Sequence, residues 1–221
     1  MPRKVGLQMS TSLNLAKLMF SPWSLSTWGW LLGGLAVAGE PSSNRPASWA
    51  QPIALAGVPN LHHVGTNLYR SAQPTAEGMR NLKDMGVSTV VNLRSFNSDR
   101  SKIRGTGLEY EHIYMKAWHP EREEVVRFLR IVTDPKRTPV LVHCQHGADR
   151  TGTMCALYRV AVEGWTKEAA LREMREGGFG FHQVWKNLPP WIEKLDVEGI
   201  KKDAGIRERA GAGRKPIAHS Q

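Results

Sequence analysis

The sequence predicts an α/β domain whose mainly parallel central sheet, of about four or five strands, is flanked by helices. Three observations carry that expectation. Val140-Leu141-Val142 and the stretch from Val87 to Leu93 are short, largely apolar runs of the kind found in strands buried on both faces. Around them, apolar residues recur at helical spacing, first Val125, Phe128, Leu129 and Val132, then Met154, Leu157, Tyr158 and Ala161. Between these segments stand capping and breaking residues, so strand and helix alternate along the chain.

In order, Val64 to Arg70 reads as a strand, and Ser71-Ala72-Gln73-Pro74 as the loop after it. Thr75 then caps a helix carrying Met79 and Leu82, which Gly86 ends. Tyr110 to Met115 is a further strand candidate. Asp134-Pro135 stops the helix built on Phe128, and Pro139 introduces the strand of Val140. Thr166 caps another helix with Glu168 in its first turn, and Pro189-Pro190 opens the last one, which carries Trp191, Ile192 and Leu195. Gly177-Gly178-Phe179-Gly180-Phe181-His182 reads as a helix stop with aromatic plugs, the alternative being a loop that closes over a site. Trp165, Trp185 and Trp191 read as packing residues, and His62-His63 as a solvated pair without a third metal ligand.

The 221 residues exceed what this domain needs, and the excess lies at the ends. Residues 1–38 read as a signal peptide or an N-terminal anchor. Their only charges are Arg3, Lys4 and Lys17, Trp28 to Val37 is mainly apolar, and Ala36-Val37-Ala38 has the small-x-small form of a cleavage site. Leu18 to Gly39 is uncharged and of spanning length, which is the anchor alternative. Export to the periplasm or cell envelope is the expectation, with a cytoplasmic protein as the rival. Residues 39–60 read as a flexible linker, 61–198 as the ordered domain and 199–221 as a disordered basic tail.

The net charge of +10 favours anionic partners without choosing among them. Two cysteines are too few for a disulfide framework and have no metal-knuckle spacing. Cys155, among Met154, Ala156 and Leu157, reads as a small core residue. Cys144 reads as a reactive thiol.

The informative stretch is Val140-Leu141-Val142-His143-Cys144-Gln145-His146-Gly147-Ala148-Asp149-Arg150-Thr151-Gly152. It runs from a buried strand, through a tight loop, into a helix. Successive amides of such a loop, backed by a helix N-terminus, favour an anion in front of them. The amides of Gln145, His146, Gly147, Ala148, Asp149 and Arg150 are the expected phosphate cradle. The field that draws in a phosphate also stabilises a thiolate at Cys144. Arg150 lies one loop further on, where its planar fork suits two phosphate oxygens. Thr151 is placed to donate its hydroxyl to the sulfur, and His143 to orient the loop from behind. Arg70 and Arg94 each follow a strand, where parallel sheets hold ligands, and are candidate phosphate contacts.

His143-Cys144-x5-Arg150-Thr151-Gly152 resembles the signature of the cysteine-based protein tyrosine and dual-specificity phosphatases. Asn67-Leu68-Tyr69-Arg70-Ser71-Ala72-Gln73-Pro74 and Val90-Val91-Asn92-Leu93-Arg94 extend the resemblance to the compact bacterial members, over residues 61–196. It implies a dual-specificity-phosphatase-like fold, a cysteinyl-phosphate intermediate, and no metal or other cofactor. The implied partners are phosphorylated proteins, or phosphorylated inositols and lipids, and not nucleic acid. A membrane enters only through an uncleaved N-terminal segment.

The general acid stays open on the residues alone. Most of the family carries an aspartate on a mobile loop some way before the cysteine, but residues 115–124 contain none. Asp149 occupies a position from which some relatives' aspartate acts, and it is the first candidate. Glu121 is the second, followed by Glu123, Glu124 and His119, although acids in a first helical turn also simply complement the helix dipole. Outside the protein phosphatases, the alternatives are an inositol-phosphate phosphatase and a catalytically dead phosphate-binding module. Intact Cys144, Arg150 and Thr151 argue against the latter.

Overall fold

The computed structural model describes residues 45–207. The signal or anchor segment and the chain beyond 207 lie outside the described residues.

Six strands form one mixed sheet in the order β1-β2-β3-β6-β4-β5. These are β1 (Gln51–Pro52), β2 (His62–Gly65), β3 (Leu68–Ser71), β4 (Thr89–Asn92), β5 (Glu109–His112) and β6 (Val140–His143). The expected four or five mainly parallel strands correspond to the parallel set β3-β6-β4-β5, to which an antiparallel edge of β1 and β2 is added. The single strand expected over 64–70 is a hairpin, broken at Thr66-Asn67 between β2 and β3. The edge strand β1 went unseen because it is two residues long, and β2 was covered only at Val64 and Gly65 because it carries no apolar run.

Period-two alternation divides the sheet's side chains between two cores. Leu68, Val91, Val140 and Val142 face one core, while Val90 and Leu141 face the other. The second core is closed by α1 (Ala76–Asp84) and α2 (Arg100–Ile103), through Met79, Leu82 and Ile103. The first is closed by α3 (Arg122–Thr133), α4 (Asp149–Ala161), α5 (Lys167–Glu176), α6 (Leu188–Lys194) and α7 (Val197–Ala204). α4 is buried on nearly every side, which explains why its sequence has no strongly polar face. The caps fall where the residues demand. Thr75 accepts from the Gly78 N–H at 3.0 Å, Thr166 from Ala169 at 3.2 Å and Asp196 from Gly199 at 3.0 Å.

Two boundaries need correction. Residues 45–60 do not form a free linker, because Ala50 and Val58 are buried and the Ala50 N–H donates to Glu173 Oε1 at 2.6 Å. Nor does disorder begin at 199, since Asp196 caps α7, Ile200 is buried and Gly205 ends the helix in the left-handed region. In both places a few buried apolar contacts outweigh a polar, loop-like composition. Among the described residues no helix is long and apolar enough to cross a membrane.

Candidate active site

β3, β4 and β6 run parallel and in register, with Ser71 and Asn92 both level with His143. Their carboxyl ends therefore open onto one edge of the sheet, where parallel α/β sheets place their sites. The loop from Cys144 to Ala148 leaves the central strand there and enters α4 directly.

The loop is held entirely from behind. The Cys144 carbonyl lies 3.1 Å from His143 Nδ1, and that of Gln145 accepts from the Gln73 N–H at 3.2 Å. Asn60 Nδ2 donates to the His146 carbonyl at 2.9 Å, and Arg70 Nη2 to that of Gly147 at 2.6 Å. In a trans peptide the carbonyl and the following N–H point in opposite directions. Anchoring these four carbonyls to the scaffold turns the N–H groups of Gln145, His146, Gly147 and Ala148 to the other side. The first turn of α4 adds its own unpaired amides, so the cradle favours an anion. Gly147 is required in it. Its φ is 73°, and a Cβ there would meet backbone of Ser71 and Ala72 at 2.5–2.6 Å.

A concavity of about 330 Å³ lies in front of the loop, bordered by Gln145, His146, Asp149 and Arg150, by Arg94 and Ser95, and by Phe96, Trp118 and Trp185. Cys144 is buried beneath it, only 2% exposed. The Arg150 guanidinium reaches toward the carbonyls of Leu93 and Met115 at 3.4 and 3.5 Å, too long to occupy its donors strongly. Its fork stays available to an anion.

Arg94 lines the concavity as expected, but Arg70 does not. Arg70 is 1% exposed, and its guanidinium lies 3.5 Å from the centre of the Phe179 ring. It braces the loop from behind, through the Gly147 carbonyl. No carboxylate among the described residues pairs with it, and burial pushes its pKa down. The Thr151 hydroxyl is buried without a partner, so the expected bond to sulfur is not formed.

His143 stands behind the loop as expected, with its Nε2 3.2 Å from Asp99 Oδ2, both side chains fully buried. Gln73 Nε2 donates to Asp99 Oδ1 at 2.7 Å. Although burial alone would raise it, the pKa of Asp99 is held below the ordinary carboxylate range by His143 and Gln73. Asp99 was not among the candidates, because in sequence it reads as one polar residue of a loop.

Asp149 borders the concavity, and both its oxygens are engaged. The His182 N–H donates to Oδ1 at 2.8 Å, and His182 Nδ1 lies 2.8 Å from Oδ2. The segment after α5 is therefore more than a helix stop, since it seats Phe179 against Arg70 and brings His182 to Asp149. His62 is not solvated, as it lies edge-on to Phe179 and burial pushes its pKa down to about 4.

Glu121 does not border the concavity. It is the N-cap of α3, and its N–H donates to Glu124 Oε2 at 3.0 Å. Burial pushes the pKa of Glu124 up to about 7, yet that side chain too lies outside the lining. Cys155 is buried with its pKa raised to about 11, in keeping with a core residue. Among the described residues no cluster of His, Cys, Asp or Glu could hold a metal ion.

Residues 60–186 match the family model described as "DSP-PTPase phosphatase fused to NAD+ Kinase". The dual specificity protein phosphatase TpbA of Pseudomonas aeruginosa is 36% identical over 172 residues, covering 77% of this chain and 78% of that protein. A crystal structure of TpbA in complex with phosphotyrosine superposes with a TM-score of 0.65 at 33% identity, covering 74% of this chain and 99% of that one. The inositol diphosphatase DSP5 of Arabidopsis thaliana is 27% identical over 158 residues, covering 65% of this chain and 73% of that protein. With the sheet, the signature loop and these matches in agreement, the chain belongs to the dual-specificity family of protein tyrosine phosphatases and is a phosphatase.

Proposed function

We propose that the chain hydrolyses phosphotyrosine in proteins through a cysteinyl-phosphate intermediate, with Asp149 as general acid and base. The observation that carries this is the anchoring of four successive loop carbonyls, from Cys144 to Gly147, which turns the loop amides toward the concavity that Arg150 and Asp149 border.

The Cys144 thiolate attacks phosphorus. An S–P bond forms, the P–O bond to the leaving group breaks, and the leaving oxygen takes the proton of Asp149. The trigonal phosphoryl group is stabilised by the loop amides and the Arg150 fork. Water then attacks phosphorus and gives its proton to Asp149, and the S–P bond breaks to release phosphate and the thiolate. His182 orients the carboxyl through two bonds. The aromatic mouth of Phe96, Trp118 and Trp185 suits an aryl leaving group, and the Pseudomonas relative was crystallised with phosphotyrosine.

A second reading keeps the mechanism and changes the substrate to an inositol phosphate. Arg94 beside Arg150 in the same concavity favours it, as does the Arabidopsis relative's name. We further propose, on residues 1–38 alone, that the protein is exported, which cell fractionation tests; a wholly cytosolic protein rejects it.

Cys144→Ser is expected to abolish turnover while inorganic phosphate still binds. Asp149→Asn, whose amide can keep both contacts with His182, is expected to lower kcat on phosphotyrosine peptides by about 10²–10⁴-fold. Full activity in that variant, with loss only in Glu121→Gln, would overturn the assignment of the acid. Phosphate release from phosphotyrosine peptides and from inositol phosphates, compared directly, separates the two substrates.

A further inference from the structure

Asn60 lies outside the signature motif, in the turn between β1 and β2. Its backbone is left-handed, with φ of 55°, the one non-glycine residue in that region among those described. The turn is fixed in place because the Pro59 carbonyl accepts from the Ala72 N–H at 2.9 Å, just beyond β3. From there the side-chain amide donates twice, to the His146 carbonyl at 2.9 Å and to the Phe179 carbonyl at 3.0 Å.

Those two acceptors belong to different parts of the site. His146 is in the phosphate loop. Phe179 is three residues before His182, which holds both oxygens of Asp149. Gly178 and Gly180 flank Phe179 with φ of 72° and 84°, so the backbone there has wide freedom unless something pins it. We propose that Asn60 is a positioning residue that keeps the phosphate loop and the Phe179–His182 segment in register, so that Asp149 meets the leaving oxygen of the bound ester. The inference rests on the reading of Asp149 as the general acid.

The residue type fits the task. Asparagine tolerates the left-handed region, and its amide nitrogen supplies two donors at once. Glycine would keep the backbone and lose both bonds. Aspartate would keep the shape but, when ionised, set acceptors against two carbonyls. Loss of the bond to His146 weakens the cradle alike for every substrate, whereas loss of the bond to Phe179 acts through Asp149 and falls on the substrate that needs its proton.

The test uses the full chain and two substrates that differ in their need for a proton, 4-nitrophenyl phosphate and phenyl phosphate. For Asn60→Gly, kcat is expected to fall on both substrates, by at least about tenfold more on phenyl phosphate than on 4-nitrophenyl phosphate. Inhibition by inorganic phosphate should weaken with the loss of the His146 anchor, and the difference between the two substrates should remain. Asn60→Asp should show the same split, and it carries the test if thermal melting shows Asn60→Gly unfolded. Equal loss on both substrates in the folded variants means a merely structural role and overturns the proposal. Asp149→Asn is the reference. If it shows the split and the Asn60 variants do not, only this inference fails. If it shows none, the assignment of Asp149 fails and the coupling falls with it.

Discussion

Behind the phosphate loop, Arg70, Ser71, Asp99 and His143 are at most 1% exposed, whereas at the mouth Phe96 is 85% and Trp118 59% exposed. Each carbonyl on the inner side has a donor from a different element. The outer rings carry no comparable restraint. The contrast assigns different tasks to the two sides. An anion cradle works only if its dipoles are fixed before the charge arrives, since reorganising them would consume the stabilisation they provide. A mouth that meets varied leaving groups loses nothing by exposing rings, because stacking tolerates some freedom of placement.

The largest effect should come from breaking the inner side. Arg70→Met keeps the length and apolar body of the side chain but removes the donor to the Gly147 carbonyl. A kcat loss of about 10²-fold is expected, the scale of removing one oxyanion donor. Thermal melting should move little, because an apolar residue replaces a buried charge without a carboxylate partner. Unchanged kcat would mean that the loop holds its shape without this brace.

A smaller effect is expected at the mouth. Trp118→Ala should raise KM for phosphotyrosine peptides by about tenfold, the value of one aromatic contact, with inhibition by inorganic phosphate unchanged. Equal weakening of both would show that Trp118 shapes the cradle itself and would erase the distinction between the two sides.

A last effect concerns stability alone and returns to the inner side. His62 is buried beside Phe179 with its pKa lowered to about 4, against about 6.5 when unfolded. The unfolded chain then binds the extra proton first as pH falls. The stability that neutral His62 contributes is complete above about pH 6.5 and is lost progressively toward pH 4, by up to about 3 kcal/mol. Against its own stability at pH 7, His62→Asn should lose less than the parent over that window, as read by urea unfolding. Identical slopes would show that His62 does not titrate there.

The parallel strands, most helices and the Cys144–Arg150 loop were legible because each is a local pattern: an apolar run, a 3.6-residue stripe, a cap, a short motif between strand and helix. The hairpin at Thr66-Asn67 and the packed segment 45–60 were not, since their order comes from distant partners such as Glu173 and Ala72. Nor were Asn60, Asp99 and His182, whose roles appear only when chain segments far apart in sequence come within hydrogen-bond distance.

By itself, then, the sequence determined which groups stand at the end of β6, because cysteine, glycine turn, arginine and helix start are contiguous. Only the tertiary structure decided how that loop is held, and it moved Arg70 from the pocket wall to the loop's back. A peptide's orientation depends on what anchors its carbonyl, and those anchors come from residues 60, 70, 73 and 143, brought together by the pairing of β3 with β6.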